Sequence, residues 1–266
     1  MWRDVIDIRD FYGSSLGRQC RRMINARLRQ MWPDAKGQSV LGLGYAVPYL
    51  GDYKESAARV IAAMPAQQGV LHWPADGPGQ TTLVDELALP FEDLSMDRVI
   101  VVHALEYSEQ VRPLLREVWR VLAGSGRLIV IVPNRRGLWA RFERTPLGYG
   151  LPYSRQQLSH TLRENMFTPA ETTRALFLPP LRSRMVQSMA GALETIGSRY
   201  FPMLGGVIIA EATKQIYAGT AAGAKAQVRG YVTMPNQTHR QTHRQTHQQT
   251  RRDTHQIMSN NKRGLL

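Results

Sequence analysis

Polar or small residues stand directly after short apolar runs at several points in the chain, and a sheet built from those runs would carry its chemistry there. The run ending at Leu43 leads into Gly44-Tyr45-Ala46, a tight turn. Thr81 to Val84 leads into the acids Asp85-Glu86. Asp97 to His103 (DRVIVVH) ends on a histidine, and Arg127 to Val132 (RLIVIV) is followed by Pro133, Asn134 and Arg135. His103 has two readings, a group that faces a ligand and a strand-end histidine bonded to backbone. Cys20 is the only cysteine, which excludes an intramolecular disulfide and a cysteine-based zinc site. Four of the seven histidines (His239, His243, His247 and His255) fall in one polar tract. Weak metal binding by that tract and a low-complexity expansion without a fixed partner are both open, and no metal site is assigned.

The elements that must position these residues alternate. Strands are predicted at 39–43, 58–64, 81–84, 97–103 and 127–132, with a short helix at 48–57 and another at 109–122. The strand at 97–103 is continuous and β-branched, as burial on both faces requires. Gly124-Ser125-Gly126 is read as the stop of the helix before it. Such alternation predicts a doubly wound α/β sheet, mostly parallel, with right-handed crossovers. Ligands of such sheets sit outside the carboxyl ends of the strands, at the switch point, and the turns after Leu43, Met64, Val84, His103 and Val132 all open onto that edge. Ahead of the sheet, Leu16, Cys20, Met23, Ile24, Leu28 and Met31 recur at helical spacing, giving an amphipathic helix over about 16–31. Its arginines off that stripe are read as a solvated face. Beyond it, Ser154 with Gln157 forms a capping box for a helix to about 165. A strand at 169–178, a helix at 185–196 and a last strand at 206–217 complete seven strands. Residues 141–153, rich in Gly, Pro and aromatics, read as an ordered loop or lid.

The chain has 266 residues, 43% of them hydrophobic, enough for one well-filled core. No run approaches the roughly 20 apolar residues of a membrane helix, and a soluble cytoplasmic protein is the expectation. The formal net charge is +13, which raises nucleic acid as a partner. From Ala221 onward, however, eight basic residues face the single acid Asp253, so about half of the surplus lies there. The tract 238–256 is a near-repeat of Thr-His-Arg-Gln with no apolar residue, and such a composition does not offset the entropy of ordering. The expected organisation is a domain at 1–219 and a disordered basic tail at 220–266, the domain dividing into a half at about 38–135 and a second at 136–219.

The central motifs resemble one family. Asp85 to Phe91 (DELALPF), Ser95-Met96-Asp97, His103 to Tyr107 (HALEY) and Leu115 to Asn134 (LREVWRVLAGSGRLIVIVPN) are together similar to the bacterial type 11 methyltransferases, within the class I, Rossmann-like methyltransferase fold. The resemblance is close over about 39–135 and holds only in outline to about 217. It implies S-adenosylmethionine as cofactor, held by Gly42, Gly44, Tyr45, Ala46, Met64, Asp85, Glu86, His103, Ala104, Leu105 and Glu106. Small residues in the first turn let the backbone approach the methionine moiety. Gly44, Ala46 and Pro48 fill the family's Gly-x-Gly-x-Gly slots. Gly42 stands where an acid is common, and Met64 stands where an Asp or Glu usually takes the ribose hydroxyls.

The activity so implied is methyl transfer to a small organic acceptor, which the aromatic loop around Trp139, Leu147, Tyr149 and Tyr153 would suit. Tyr107, Asn134, Arg135 and Tyr153 are the candidate acceptor contacts, and no catalytic base is assigned. A non-catalytic binding module with a degenerate cofactor site is the alternative. Nucleic-acid binding or modification is the weaker third reading.

Overall fold

The computed structural model describes residues 2–181 and 188–216. Its centre is a seven-stranded sheet of β1 (Ser39–Gly44), β2 (Arg59–Pro65), β3 (Thr81–Val84), β4 (Met96–Val102), β5 (Leu122–Pro133), β6 (Phe167–Ala175) and β7 (Val207–Lys214). The spatial order is β3-β2-β1-β4-β5-β7-β6. β1 to β5 are parallel, and β7 runs antiparallel between β5 and β6. This is the expected doubly wound, mostly parallel architecture. Because β1 lies between β2 and β4, the order reverses there, and the crevice at a switch point forms between the ends of β1 and β4.

The helices are α1 (Val5–Gly13), α2 (Ser15–Met31), α3 (Val47–Leu50), α4 (Val111–Val121), α5 (Arg155–Glu164) and α6 (Ala190–Tyr200). Strand alternation sorts the core between them. Ile100, Val102, Ile129 and Ile131 pack with α1, α2 and α3. Val99, Val101, Leu128 and Val130 pack with α4 and α5. β7 is buried along most of its length, and its Glu211 accepts from Trp32 Nε1 at 2.8 Å and from Arg127 at 3.2 Å.

Several elements differ from expectation. α1 was not foreseen. The helix expected over 48–57 is one turn of α3 followed by a tighter turn at Gly51–Tyr53, where a glycine weakens helix propagation. Gly124-Ser125-Gly126 lies within β5 and does not terminate α4. The links 66–80 and 85–95 carry no helix, the first because its prolines and glycines disfavour one. The helix expected from 185 is described only from Ala190 to Tyr200, since 182–187 are outside the described residues. The tail expected to be disordered, with its near-repeat and its histidines, lies outside them as well. The α5 capping box forms as expected. No helix among the described residues is long and apolar enough to cross a membrane.

Candidate functional site

The first turn is shaped by its neighbours. Gly44 has φ +84°, and a Cβ there would collide with the Val102 carbonyl and lie 2.9 Å from Ala104 Cβ. Glycine is required for β1 to turn beside β4. A Cβ at Gly42 would lie 2.7 Å from both Ala46 Cβ and Leu50 Cδ1. Tyr45 and Ala46 are buried. Met64 is fully buried, and its sulfur accepts a bond from the Leu71 amide at 3.4 Å.

Two acids after β3 part company. Asp85 is exposed and turns the chain by accepting from the Leu87 amide at 2.9 Å. Glu86 is buried, its Oε2 has no hydrogen-bond partner, and burial holds its carboxyl above the usual carboxylate range.

After β4, His103 sits at φ +51° with its ring buried. Its Nδ1 is 3.2 Å from Glu106 Oε1, and its Nε2 is 2.9 Å from the Tyr12 hydroxyl. Tyr12 and Tyr49 hydroxyls are 2.8 Å apart. With Tyr49 donating to Tyr12, Tyr12 to His103 and His103 to Glu106, every link of this string is satisfied. Gln68 Nε2 donates to the His103 carbonyl at 2.9 Å. Glu106 Oε2 is buried without a partner. Tyr12 also stacks on Tyr45, with ring centroids 5.9 Å apart. Burial pushes the Tyr12 and Tyr49 phenols up, and Tyr45 up to about 12, so all three stay protonated at neutral pH.

The remaining contacts fasten the second half to this edge. The Tyr107 hydroxyl donates to the Pro146 carbonyl at 2.6 Å, and the Leu151 amide donates to the Glu106 carbonyl at 2.8 Å. Asn134 is buried. Its amide nitrogen donates to Met203 and Gly205 carbonyls at 2.9 and 2.7 Å, and its oxygen accepts from the Arg136 amide at 3.2 Å. Trp139 and Leu147 are core residues, whereas Tyr149 is exposed with the Arg3 guanidinium 4.6 Å above its ring. Arg135 and Tyr153 line a cavity of about 310 Å³ with His160 and Thr161. Burial, with Glu106 adding, pushes the Tyr153 phenol up to about 12. Among the described residues no group of three His, Cys, Asp or Glu is placed to hold a metal ion.

Residues 41–130 match the family model described as a methyltransferase domain. Over that stretch, about a third of the chain, the sequence is similar to a methyltransferase domain. No curated protein matches the chain in sequence. Among solved structures it is similar to a chain of the complex between the Haloferax volcanii Trm112 methyltransferase activator and a methyltransferase, at 16% identity and a TM-score of 0.57, covering 81% of this chain and 100% of that one. It is similar to a SAM-dependent methyltransferase of Thermotoga maritima at 16% identity and 0.53, covering 79% and 96%. A third is the 1,6-didemethyltoxoflavin-N1-methyltransferase of Burkholderia thailandensis, solved with S-adenosylhomocysteine, at 15% and 0.50, covering 78% and 82%. At such identities the likeness is one of fold, the class I methyltransferase fold.

Within this fold, the turns at Gly42–Ala46, Met64 and His103–Glu106 share one sheet edge. Asn134 and the Tyr107 hydroxyl, read as acceptor contacts, are instead engaged by the chain's own carbonyls. Trp139 and Leu147 support the loop from the core. Tyr12, Tyr49 and Gln68 escaped the sequence reading. Tyr12 had one local signal, the helical spacing of Val5, Ile8 and Tyr12.

Proposed function

We propose that this domain is a methyltransferase that binds S-adenosylmethionine at the β1–β4 crevice and passes its methyl group to a small organic acceptor. The observation that carries the reading is a pair of buried carboxylates with unpartnered oxygens, Glu86 after β3 and Glu106 after β4. Such oxygens accept from hydroxyl and ammonium groups, and the cofactor carries both. They would take over the task that Met64 does not perform. The cofactor supplies the activated methyl and its leaving group, and the chain's part is to position the reactants. Gly42, Gly44, Tyr45 and Ala46 would border the methionine moiety, and Met64, Asp85 and Glu86 the nucleoside. His103, Ala104, Leu105 and Glu106 would border the acceptor side, with Arg135 and Tyr153 beyond. Tyr12 lies against Tyr45 and His103, so α1 has to shift for a ligand to reach these groups.

The non-catalytic reading has one specific observation in its favour, the satisfied string from Tyr49 to Glu106 in the middle of the proposed site. Calorimetric titration of the full chain with S-adenosylhomocysteine separates the two. Saturable binding, weakened about tenfold in Glu106→Gln by loss of a charged acceptor, supports the methyltransferase reading. No heat for either cofactor form at about 1 mM overturns it.

A further inference from the structure

A cavity of about 790 Å³ lies between the start of α5, the turn after β5, the end of β6 and the Pro202-Met203 loop. Arg136, Arg155, Arg163 and Arg174 line it together with His160, and no acid does. Some arginines elsewhere in the domain are paired with acids, among them Arg29 with Asp52, Arg120 with Glu117 and Asp93, and Arg127 with Glu211. Arg174 is half-buried, and its Nε has no hydrogen-bond partner. Burial comes first in holding its guanidinium below the usual arginine range, and the charges of Arg155 and Arg136 add to it.

Three unfavourable features meet in this cavity. Like charges repel across it. A buried donor lacks an acceptor. Arg155 places a cation in the first turn of α5, at the positive end of the helix dipole. The capping box engages Ser154 and Gln157, and the amides of Arg155 and Gln156, as in any first turn, have no carbonyl partner inside the helix. One kind of ligand relieves all of these at once, a compact multivalent anion.

We propose that this cavity binds a phosphate-bearing small molecule through Arg136, Arg155 and Arg174. Guanidinium forks match phosphate oxygens bidentately, and charge-assisted bonds of this kind are the strong ones. Concavity argues for a small molecule over a nucleic-acid strand, because the arginines close around one volume and do not follow a stripe along the surface. The site stands independently of cofactor binding.

Inorganic pyrophosphate is the probe, titrated calorimetrically into the full chain. Saturable binding is expected, about tenfold weaker in Arg155→Gln and in Arg136→Gln. Both are exposed side chains whose replacement spares the core. Arg29→Gln, outside the cavity, should bind as the wild type does. Pyrophosphate binding unchanged in the Arg136→Gln/Arg155→Gln double variant would place it elsewhere, for instance on the basic residues beyond Ala221, and overturn the proposal. A single-stranded oligonucleotide that binds more tightly than pyrophosphate and weakens in the same variants would make the cavity part of a nucleic-acid surface and overturn it equally.

Discussion

Glu86 carries a carboxylate oxygen that is buried and unpaired, and such a group destabilises the fold it sits in. The sign of its pH dependence follows from the raised carboxyl. Below the usual carboxylate range Glu86 is protonated in the folded and unfolded chain alike, and there is no penalty. As pH rises through the raised value the folded state must ionise a buried group, and stability falls. Glu86→Gln is therefore expected to raise the melting temperature at neutral pH, with the advantage vanishing in acid, and to weaken S-adenosylhomocysteine binding. A variant that melts lower than the wild type at neutral pH would show that the carboxylate has a partner inside the fold. Gly44 is of a different kind. Its positive φ and the nearby Val102 carbonyl explain the glycine without any ligand, so a larger residue there would test the turn before it tested the cofactor.

Between elements, the two most recognisable motifs clamp one another. Arg120 of α4 donates to the carbonyls of Leu89 and Phe91, both at 2.8 Å, and to Asp93 and Glu117. Glu117 Oε2 in turn accepts from the Leu89 amide at 2.8 Å. The Leu-Pro-Phe turn and the Glu-x-x-Arg helix thus form one unit that delivers β4 to the sheet. Replacing Arg120 with Met should cost roughly 1.5–3 kcal/mol in urea unfolding, the worth of hydrogen bonds to a charged group. The bond from Arg120 is the main cause holding the Glu117 carboxyl below its usual range. This contribution is present above the usual carboxylate range and is lost as pH falls through the lowered value, so the gap between wild type and variant should narrow in acid. A gap that stays constant with pH would mean that Arg120 acts by packing alone.

The strands were legible because buried parallel strands are continuous apolar runs, and the Ser154–Gln157 capping box was legible because it is local. α1 was not. Its apolar spacing spans only Val5, Ile8 and Tyr12, and its partners are distant in sequence, with Tyr12 and His103 91 residues apart. Asp4, which caps it by accepting from the Ile6 amide, was the remaining local sign. The bonding of Asn134 was not legible for a related reason. Its place at a strand end was clear, but its bonds to Met203 and Gly205 depend on β7 lying beside β5.

For the molecule as a whole, the core closes within residues 2–216 as far as it is described. The composition of 238–256 motivates a simple expectation, that truncation before Ala221 changes the melting temperature little. A large drop would mean that the segment contributes to the fold. The central claim is that the carboxyl edge at β1 and β4 receives S-adenosylmethionine. Ultraviolet cross-linking of the radiolabelled cofactor to the full chain, followed by tryptic mapping, addresses it most directly. Label should fall in the peptide between Lys36 and Lys54, which holds the Gly44 turn, and in the peptide between Arg98 and Arg116, which holds His103 to Glu106. Excess S-adenosylhomocysteine should suppress both. Absence of label at saturating cofactor, or label confined to residues beyond Arg135, would contradict the assignment of this edge as the cofactor site.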